Sequence, residues 1–298
     1  MIKKNAILIG IVLIFGQSYS SSFRGTFPNI GTDARGMALG RACGALTGIS
    51  SAYWNPSVIA FLKEKTTTST YTMFGAFPIS CGFISYIAND DGHGAAALSW
   101  NYLGAKLYEG EYSWNENTIS YSWAKAIQHN LAVGITTKLL LVNSGFDKGN
   151  ATGGSADIGL IYLKDNLGIG FTAHDLVSRI YWKTNRKEKI PITYDLGASY
   201  KFFNESINLL FDLSSEDRFY PNEIKTGLES WIFSERFAIR VGIVRKLNES
   251  NLSIFSSGFG LNFVNTNKAI NYGLNYAFVL DKNILGAIHC LSLEVKWK

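Results

Sequence analysis

Charged side chains recur within otherwise apolar stretches of this chain, and they are the residues whose spacing could do chemistry. Eight of them occupy positions opposite the larger apolar side chains of their segments: Asp157, Asp195, Asp212, Lys225, Glu229, Arg240, Glu294 and Lys296. A ring of one sign would select ions, whereas mixed signs can pair with one another in a polar interior. Because both signs occur, we expect paired interior charges, which in the simplest interpretation only satisfy one another.

The residues that catalysis or metal binding would need show no suitable spacing. The four histidines share no metal-ligand pattern: His93, His129, His174 and His289. The three cysteines, Cys43, Cys81 and Cys290, are widely spaced and odd in number, which argues against a disulfide framework. Serine and histidine form no recognisable nucleophile and base pair. We therefore expect no enzyme activity, no metal and no cofactor.

The composition limits the class of partner. Charged residues make up 17% of the chain, while hydrophobic residues reach 47% and aromatic residues 14%. Soluble domains carry about a quarter charged residues, so a surface that faces lipid would explain the deficit. The net charge of +5 is not gathered into a dense basic patch, and we expect no nucleic-acid partner.

A period of two in the apolar residues predicts the elements that position the charges. In 269–280 the even positions are large and apolar, as in Ile270, Leu274 and Phe278, whereas odd positions such as Asn271 and Gly273 are small or polar. Successive side chains of a strand point to opposite faces, so each such segment is a strand with one apolar face. The same test predicts fourteen strands, at 65–74, 79–88, 93–103, 117–127, 130–142, 155–164, 166–175, 191–202, 205–213, 223–233, 236–246, 252–263, 269–280 and 285–298.

An even number of strands of about ten residues predicts an all-β fold, a transmembrane antiparallel β-barrel spanning 65–298. Loop lengths support it, because bacterial barrels have short periplasmic turns and longer external loops. With the amino terminus in the periplasm, the longer connections fall on the outer side, at 104–116, 143–154, 176–190 and 214–222.

The amino terminus predicts export. Lys3 and Lys4 precede an apolar core at 6–15 and a small-residue cleavage site at 18–20, which is typical of a signal peptide over 1–20. The rival interpretation, an uncleaved anchor, fits less well because the apolar core is about ten residues and a membrane helix needs about 20. Export and a barrel together predict the bacterial outer membrane, with its lipid as a partner.

Residues 21–64 do not alternate and predict a different element. Thr32 or Asp33 can cap a helix over 34–46, which is rich in glycine and alanine. Asn55 and Pro56 mark a turn, since proline disfavours a helical residue before it. A barrel of fourteen strands is wide enough that its lumen must be filled or will conduct water. The segment 21–64 is therefore predicted to be a short helical plug in the lumen.

The same segment resembles a known group of proteins. The resemblance rests on the run Ala34-Arg35-Gly36 with Gly40, Ala42 and Gly44, followed by Ala52-Tyr53-Trp54-Asn55-Pro56. This run is similar to the amino-terminal signature of the PorV/PorQ family, within the FadL-like outer-membrane proteins, and further likenesses lie at 154–162, 167–176 and 190–200. Two departures stand out: 47–50 lacks the usual acidic pair, and Ser57 replaces the usual alanine.

The resemblance implies one of two functions. FadL-like transporters pass hydrophobic molecules, and here the plug would open the route; the candidate hinge and seal residues are Arg35, Gly36, Gly40, Asn55 and Pro56. The same residues could merely cap and pack the plug. PorV-like members instead assist a type IX-like protein secretion system, with other envelope proteins as partners. We expect passive uptake or binding of a hydrophobic small molecule, with the secretion role as the alternative.

Overall fold

The computed structural model describes residues 31–48, 51–75, 78–90, 93–107, 112–145, 148–217, 221–233, 236–247, 253–263, 270–281 and 286–298. The predicted signal peptide at 1–20 lies outside the described residues, as does the first part of the predicted plug. The strands are β1 (Lys65–Phe74), β2 (Ile79–Asp90), β3 (Gly94–Leu107), β4 (Tyr112–Gln128), β5 (Leu131–Ser144), β6 (Ala151–Lys164), β7 (Leu167–Trp182), β8 (Lys187–Glu188), β9 (Thr193–Phe202), β10 (Ile207–Glu216), β11 (Glu223–Ile232), β12 (Phe237–Lys246), β13 (Ser253–Phe263), β14 (Ile270–Asp281) and β15 (Gly286–Trp297).

Fourteen of these strands close into an antiparallel barrel, as predicted. Each strand pairs with its neighbour in sequence, and β1 pairs with β15 to close the ring, for example Thr70 with Ser292. The two-residue β8 stands outside this order, since it pairs with the end of β7 while β7 continues around the ring to β9. Among the described residues, each of the fourteen barrel strands therefore has a paired neighbour on both sides, which is the condition for a sheet to cross lipid.

Successive side chains of each strand point alternately to the outer and the inner face of the barrel wall. Along β1, Thr66, Thr68 and Thr72 are buried, whereas Tyr71 and Met73 are about half exposed. The exposed face carries large apolar side chains on nearly every strand, and the buried face carries small or polar ones. The outside of the barrel therefore has the character of a lipid-facing surface, and the polar groups turn inward.

All four expected long connections are partly strand. β3 runs to Leu107 and β4 starts at Tyr112, while β6 starts at Ala151, β7 continues to Trp182 and β10 continues to Glu216. The connections expected at 104–116, 143–154, 176–190 and 214–222 are therefore shorter than the apolar pattern indicates. Backbone pairing continues beyond the point where apolar side chains stop alternating, as at Leu107 and Tyr112, which face each other across β3 and β4. Hydrogen-bonded ladders need no apolar face, so the pattern underestimates these strands.

An irregularity in β7 changes which side chains turn inward. Ala156 pairs with Val177 and Ile158 pairs with Ala173, so three residues of β7, 174–176, lie opposite Asp157 alone. Asp175 has a φ of 55°, and its N–H donates to Asp157 Oδ1 over 2.8 Å. A bulge of this kind re-aims side chains. Here it turns both His174 and Asp175 toward the interior, which strict alternation would not allow.

The N-terminal segment, defined as residues 31–48 and 51–62, lies inside the barrel. It contains α1 (Ala34–Ala38), α2 (Ser51–Trp54) and a 3-10 helix (Pro56–Phe61). α1 packs against β12 to β15, and the 3-10 helix packs against β2 to β6. No helix in the part of the chain that the structure describes is long and apolar enough to cross a membrane.

The helix expected over 34–46 ends at Ala38. Asp33 caps it, accepting a hydrogen bond from Gly36 N over 2.8 Å, but Gly40 and Arg41 then take positive φ values of 63° and 59°. Glycine adopts that conformation without strain, so the chain can leave the helix there. The backbone groups that a longer helix would pair are bonded by strand side chains instead, such as Ser256, which accepts from Gly40 N and donates to Ala38 O. The barrel wall therefore decides where the helix ends.

Candidate functional site

The N-terminal segment touches the wall where the wall has glycines. A Cβ added at Gly197 would come within 2.8 Å of Ala45 N, and one at Gly227 within 2.6 Å of Leu39 O. Other inward glycines meet the segment in the same way: Gly134, Gly159, Gly170, Gly242 and Gly258. Missing side chains let two backbones approach closely. The pair Gly168 and Gly170 in β7 thus serves packing, and Gly170 faces the carbonyl of Gly44.

Arg35 of α1 forms the strongest polar contact between segment and wall. Its Nε lies 2.9 Å from Glu229 Oε2, its Nη2 lies 2.7 Å from Glu229 Oε1, and its Nη1 donates to Thr47 O over 2.8 Å. Arg240 Nε also donates to Glu229 Oε2, over 2.7 Å, and Arg240 Nη1 donates to Asn275 Oδ1 over 2.8 Å. The Glu229 carboxylate thus accepts hydrogen bonds from two guanidinium groups, and all of these hydrogen bonds are charge-assisted.

The charge state of Arg35 is secure. Burial opposes the charged guanidinium, but the neighbouring Glu229 carboxylate outweighs burial and raises the pKa of Arg35 above its ordinary value. An arginine in this setting stays protonated at any pH that the protein survives. Arg35 therefore remains a charged partner for Glu229 at physiological pH.

Asn55 ties the two halves of the N-terminal segment to each other and to the wall. Its Nδ2 donates to Gly44 O over 2.8 Å and to Leu160 O over 3.1 Å. Its Oδ1 accepts from Ser57 N over 3.0 Å and so caps the 3-10 helix that Pro56 begins. Every polar atom of this buried amide has a partner, which fixes the turn.

A second group of charges lies on the wall at β5, β6, β7, β9 and β11. Lys138 Nζ lies 2.8 Å from Asp157 Oδ1 and 3.2 Å from Asp175 Oδ1. His174 lies 3.5 Å from the carboxylates of both Asp157 and Asp195. Asp195 Oδ1 accepts from Lys225 Nζ over 2.9 Å. Acidic and basic groups thus alternate around the interior, and we call them the Lys138 cluster.

A small cavity lies between the Lys138 cluster and α2. Its apolar walls are formed by Ala52, Tyr53, Phe83, Leu140 and Ile190. Its uncharged polar walls, all from β3 to β5, are formed by Ser99, Asn101, Thr118, Ser120, Ser122 and Thr136. Lys138, Asp157 and Asp175 close one side. Burial raises the pKa of the Tyr53 phenol to about 12, so this group is neutral at physiological pH.

The end of the barrel where β1 finishes, called here the Phe74 end, contains two apolar clusters inside, with the buried carboxylates of Glu116 and Glu188 beside them. One buried cluster joins Phe74, Leu103, Val279 and Ile288 with Met37 of α1. A second one joins Leu140, Val142, Ala151, Ile180 and Ile190. Leu140 and Ile190 also line the cavity, so the apolar surface continues from the Phe74 end into it.

The structure places the predicted interior charges as follows. Asp157, Asp195, Asp212, Lys225, Glu229, Arg240 and Glu294 are buried, and Lys296 lies at the end of β15 with its Nζ 4.0 Å from Glu294 Oε2. Asp212 Oδ2 accepts from Gly44 N over 2.7 Å and so contacts the N-terminal segment. Glu229 and Arg240 form one group with Arg35, while Asp157, Asp195 and Lys225 belong to the Lys138 cluster.

The candidates in the N-terminal segment are brought against the wall but not to one point. Arg35 meets Glu229, Gly40 lies against Gly242, and Pro56 lies against Gly134. Gly36 instead lies within the segment, where an added Cβ would come within 2.9 Å of Trp54 Nε1. These residues form a seam around the segment and not a compact site.

Sequence reasoning missed three members of the Lys138 cluster. Lys138 lies in the middle of an apolar strand, where an unpaired lysine would be costly. Its position in the sequence could therefore have indicated a buried ion pair. His174 and Asp175 are adjacent in sequence, so alternation assigns only one of them to the interior; the bulge in β7 admits both. Across the described ranges, no group of three His, Cys, Asp or Glu side chains is arranged to hold a metal ion.

Comparison with known proteins identifies the fold. No protein-family model and no curated protein matches the sequence. Among solved structures, a FadL homologue of Pseudomonas aeruginosa is similar with a TM-score of 0.62 and 12% identity, covering 89% of this chain and 98% of that chain. The toluene transporter TbuX of Ralstonia pickettii gives 0.63 and 12%, with 92% and 100% covered.

The toluene transporter TodX of Pseudomonas putida gives a TM-score of 0.60 at 11% identity, with 90% of this chain and 97% of that chain covered. At this level of identity the similarity concerns the fold, and it extends over nearly the whole of each structure. The chain therefore has the FadL-like fold, a closed barrel of fourteen antiparallel strands.

Proposed function

We propose that this protein is a FadL-like barrel of the bacterial outer membrane that binds or passively takes up a small, largely hydrophobic molecule, with residues 21–64 acting as a plug. The observation that carries the proposal is the pair of apolar clusters inside the Phe74 end, the second of which continues through Leu140 and Ile190 into the cavity beside Tyr53. Pockets that bind small molecules are typically concave, mostly apolar and supplied with a few polar groups.

The outer surface supports the membrane location. Tyr71, Leu98, Ile135, Leu160 and Phe255 each expose at least about two fifths of their surface, and they come from five different strands. Such a continuous apolar exterior would associate in water. In a bilayer the same side chains contact acyl chains, and the buried charges remain in the interior.

The interior supports a closed state that must rearrange for passage. α1 and the turn after it pack against one half of the wall and the 3-10 helix packs against the other half. A molecule in the cavity meets Ala52 and Tyr53 of α2 at its far side. Passage then requires the N-terminal segment to shift, and Arg35, Gly40 and Asn55 hold its resting position.

An uptake assay tests the proposal. The protein is reconstituted in liposomes, and the entry of a labelled fatty acid or aromatic hydrocarbon is compared with that into protein-free liposomes. We expect faster entry with the protein. Equal rates for every compound would contradict a transport function.

The secretion role rests on the PorV/PorQ resemblance of the run from Ala34 to Pro56. It requires a stable complex with other envelope proteins. Cross-linking in cells followed by mass spectrometry separates the two functions: recovery of secretion components would favour that role, and recovery of this protein alone would favour uptake.

A further inference from the structure

The cavity beside Tyr53 brings aromatic and hydrogen-bonding side chains together, which bears on the chemistry of its ligand. Tyr53 and Phe83 are in edge-to-face contact, with ring centroids 6.4 Å apart at an interplanar angle of 70°. Asn101 and Thr118 continue the wall beside Phe83, since Phe83 pairs with Asn101 and Asn101 pairs with Thr118. The aromatic pair offers apolar surface to a ring, and the neighbouring strands offer hydrogen-bonding groups.

The hydroxyl groups of the polar wall have bonding capacity left. Ser122 and Thr136 share one hydrogen bond of 2.7 Å, and Ser85 and Ser99 share one of 2.9 Å. A hydroxyl has one donor and two acceptor sites, so each such pair keeps a further donor and several acceptor sites. A pure hydrocarbon in the cavity would displace water from these groups and leave them without partners, which weakens its binding.

The charges beside the cavity select against an anionic ligand. Lys138 lies between Asp157 and Asp175, and His174 lies 3.5 Å from Asp157, so the basic groups at this part of the wall are already engaged by carboxylates. Both carboxylates are nearly fully buried, and a ligand carboxylate placed beside them would meet two like charges at short range. The ammonium group has three donors and uses two of them here, so it can still donate to a neutral oxygen.

We propose that this cavity binds a neutral, single-ring compound with a hydroxyl group, a phenol in chemical class, in preference to a hydrocarbon or a fatty acid. The inference rests on the proposed function, since it specifies the ligand of the same interior. The ring packs against the Tyr53 and Phe83 pair, and the hydroxyl bonds to the wall at Thr118 and its neighbours. The hydroxyl of the ligand then replaces the water that a hydrocarbon would displace without compensation.

The test compares ligands that differ in one group. Toluene, 4-methylphenol and 4-methylbenzoate are measured by equilibrium dialysis with the full chain in an aliphatic detergent, and protein-free micelles of the same detergent correct for partitioning. We expect 4-methylphenol to bind about tenfold more tightly than toluene, the ratio that one additional hydrogen bond supplies. We expect 4-methylbenzoate to bind more weakly than both.

Two threonine variants locate the site. Thr118→Val removes an inward hydroxyl at nearly constant shape, and we expect it to weaken 4-methylphenol about tenfold without weakening toluene. Thr137→Val is the matched control, because Thr137 faces outward on β5 and lies outside the cavity lining. Circular dichroism and the heat-dependent gel shift of each variant establish that it folds.

The outcomes separate this inference from the proposed function. Toluene or 4-methylbenzoate binding as tightly as 4-methylphenol would overturn the phenol preference and leave the uptake of small molecules intact. Equal effects of Thr118→Val and Thr137→Val on 4-methylphenol would also overturn it. Binding of none of the three compounds, together with uptake no faster than in protein-free liposomes, would overturn both.

Discussion

Arg35 of the N-terminal segment and Glu229 of the barrel wall face each other as a fork-to-fork pair, with Nε to Oε2 at 2.9 Å and Nη2 to Oε1 at 2.7 Å. The Glu229 side chain is 1% exposed and the Arg35 side chain is 20% exposed. Removing Arg35 would leave the buried Glu229 with one guanidinium partner, Arg240, instead of two, which weakens the hold on the segment without leaving the carboxylate unpaired. This contact is therefore the place to loosen the segment selectively.

Arg35→Met is expected to release the segment while the barrel stays folded, because Arg240 still neutralises Glu229. The measurement is conductance in a planar bilayer, where we expect the variant to show larger or more frequent openings than the wild type. Arg236→Met serves as control, since Arg236 is exposed at the start of a strand. Equal conductance of both variants and the wild type would show that the ion pair does not hold the segment.

Gly227→Ala is expected to displace the turn after α1. The added Cβ would come within 2.6 Å of Leu39 O, a distance that backbone atoms cannot accept without moving. Hydrogen exchange followed by mass spectrometry should show faster exchange over 36–46. Gly82→Ala is the matched control, because the nearest atom to a Cβ there lies 4.0 Å away. Unchanged exchange in Gly227→Ala would mean that the wall adapts instead.

Lys138→Met should destabilise the barrel. Asp157 and Asp175 would lose the ammonium group that lies within 3.2 Å of both, and we expect a loss of about 3 to 5 kcal/mol in the free energy of unfolding. The readout is the urea midpoint of the heat-dependent gel shift. Adding Asp175→Asn to Lys138→Met should recover part of the lost stability, because it removes one of the two carboxylates. Lys125→Met, at an exposed position, is the control and should change the urea midpoint little. A midpoint unchanged by Lys138→Met would contradict this account of the cluster.

A covalent tie between segment and wall should block passage. Ser199 Oγ donates to Ala45 O over 3.2 Å, so these two residues are neighbours across the seam. The double variant Ala45→Cys and Ser199→Cys is expected to form a disulfide under oxidation, seen as a cross-linked fragment after proteolysis. Uptake into liposomes should then fall to the protein-free rate and recover with a reductant. Full uptake by the oxidised protein would argue against movement of this part of the segment.

Much of the barrel follows from local chemistry that a sequence displays directly. In 269–280 the apolar side chains recur every second residue, and that period reports which face each residue occupies because strand geometry fixes the alternation. The expected strands at 65–74 and 236–246 therefore differ from β1 and β12 by at most one residue at either end. A strand that has lipid on one side and a polar interior on the other therefore alternates strongly between apolar and polar residues.

The arrangement of the interior could not be predicted in this way, because it depends on contacts between residues far apart in the chain. The helix expected over 34–46 stopped at Ala38 because Ser256, more than two hundred residues away, binds the backbone there. The strand expected to end at 175 continued because β6 pairs with it through Trp182.

By itself, the sequence determined the number of barrel strands, the face of most strand residues and the presence of charges opposite the apolar side. Only the tertiary structure decided that Arg35 meets Glu229, that a bulge turns both His174 and Asp175 inward, and that a cavity lined by aromatic and hydroxyl side chains lies beside Tyr53. The physical reason is that periodicity is set by the backbone of one strand. The partners of a buried charge, in contrast, are set by the closure of the whole ring.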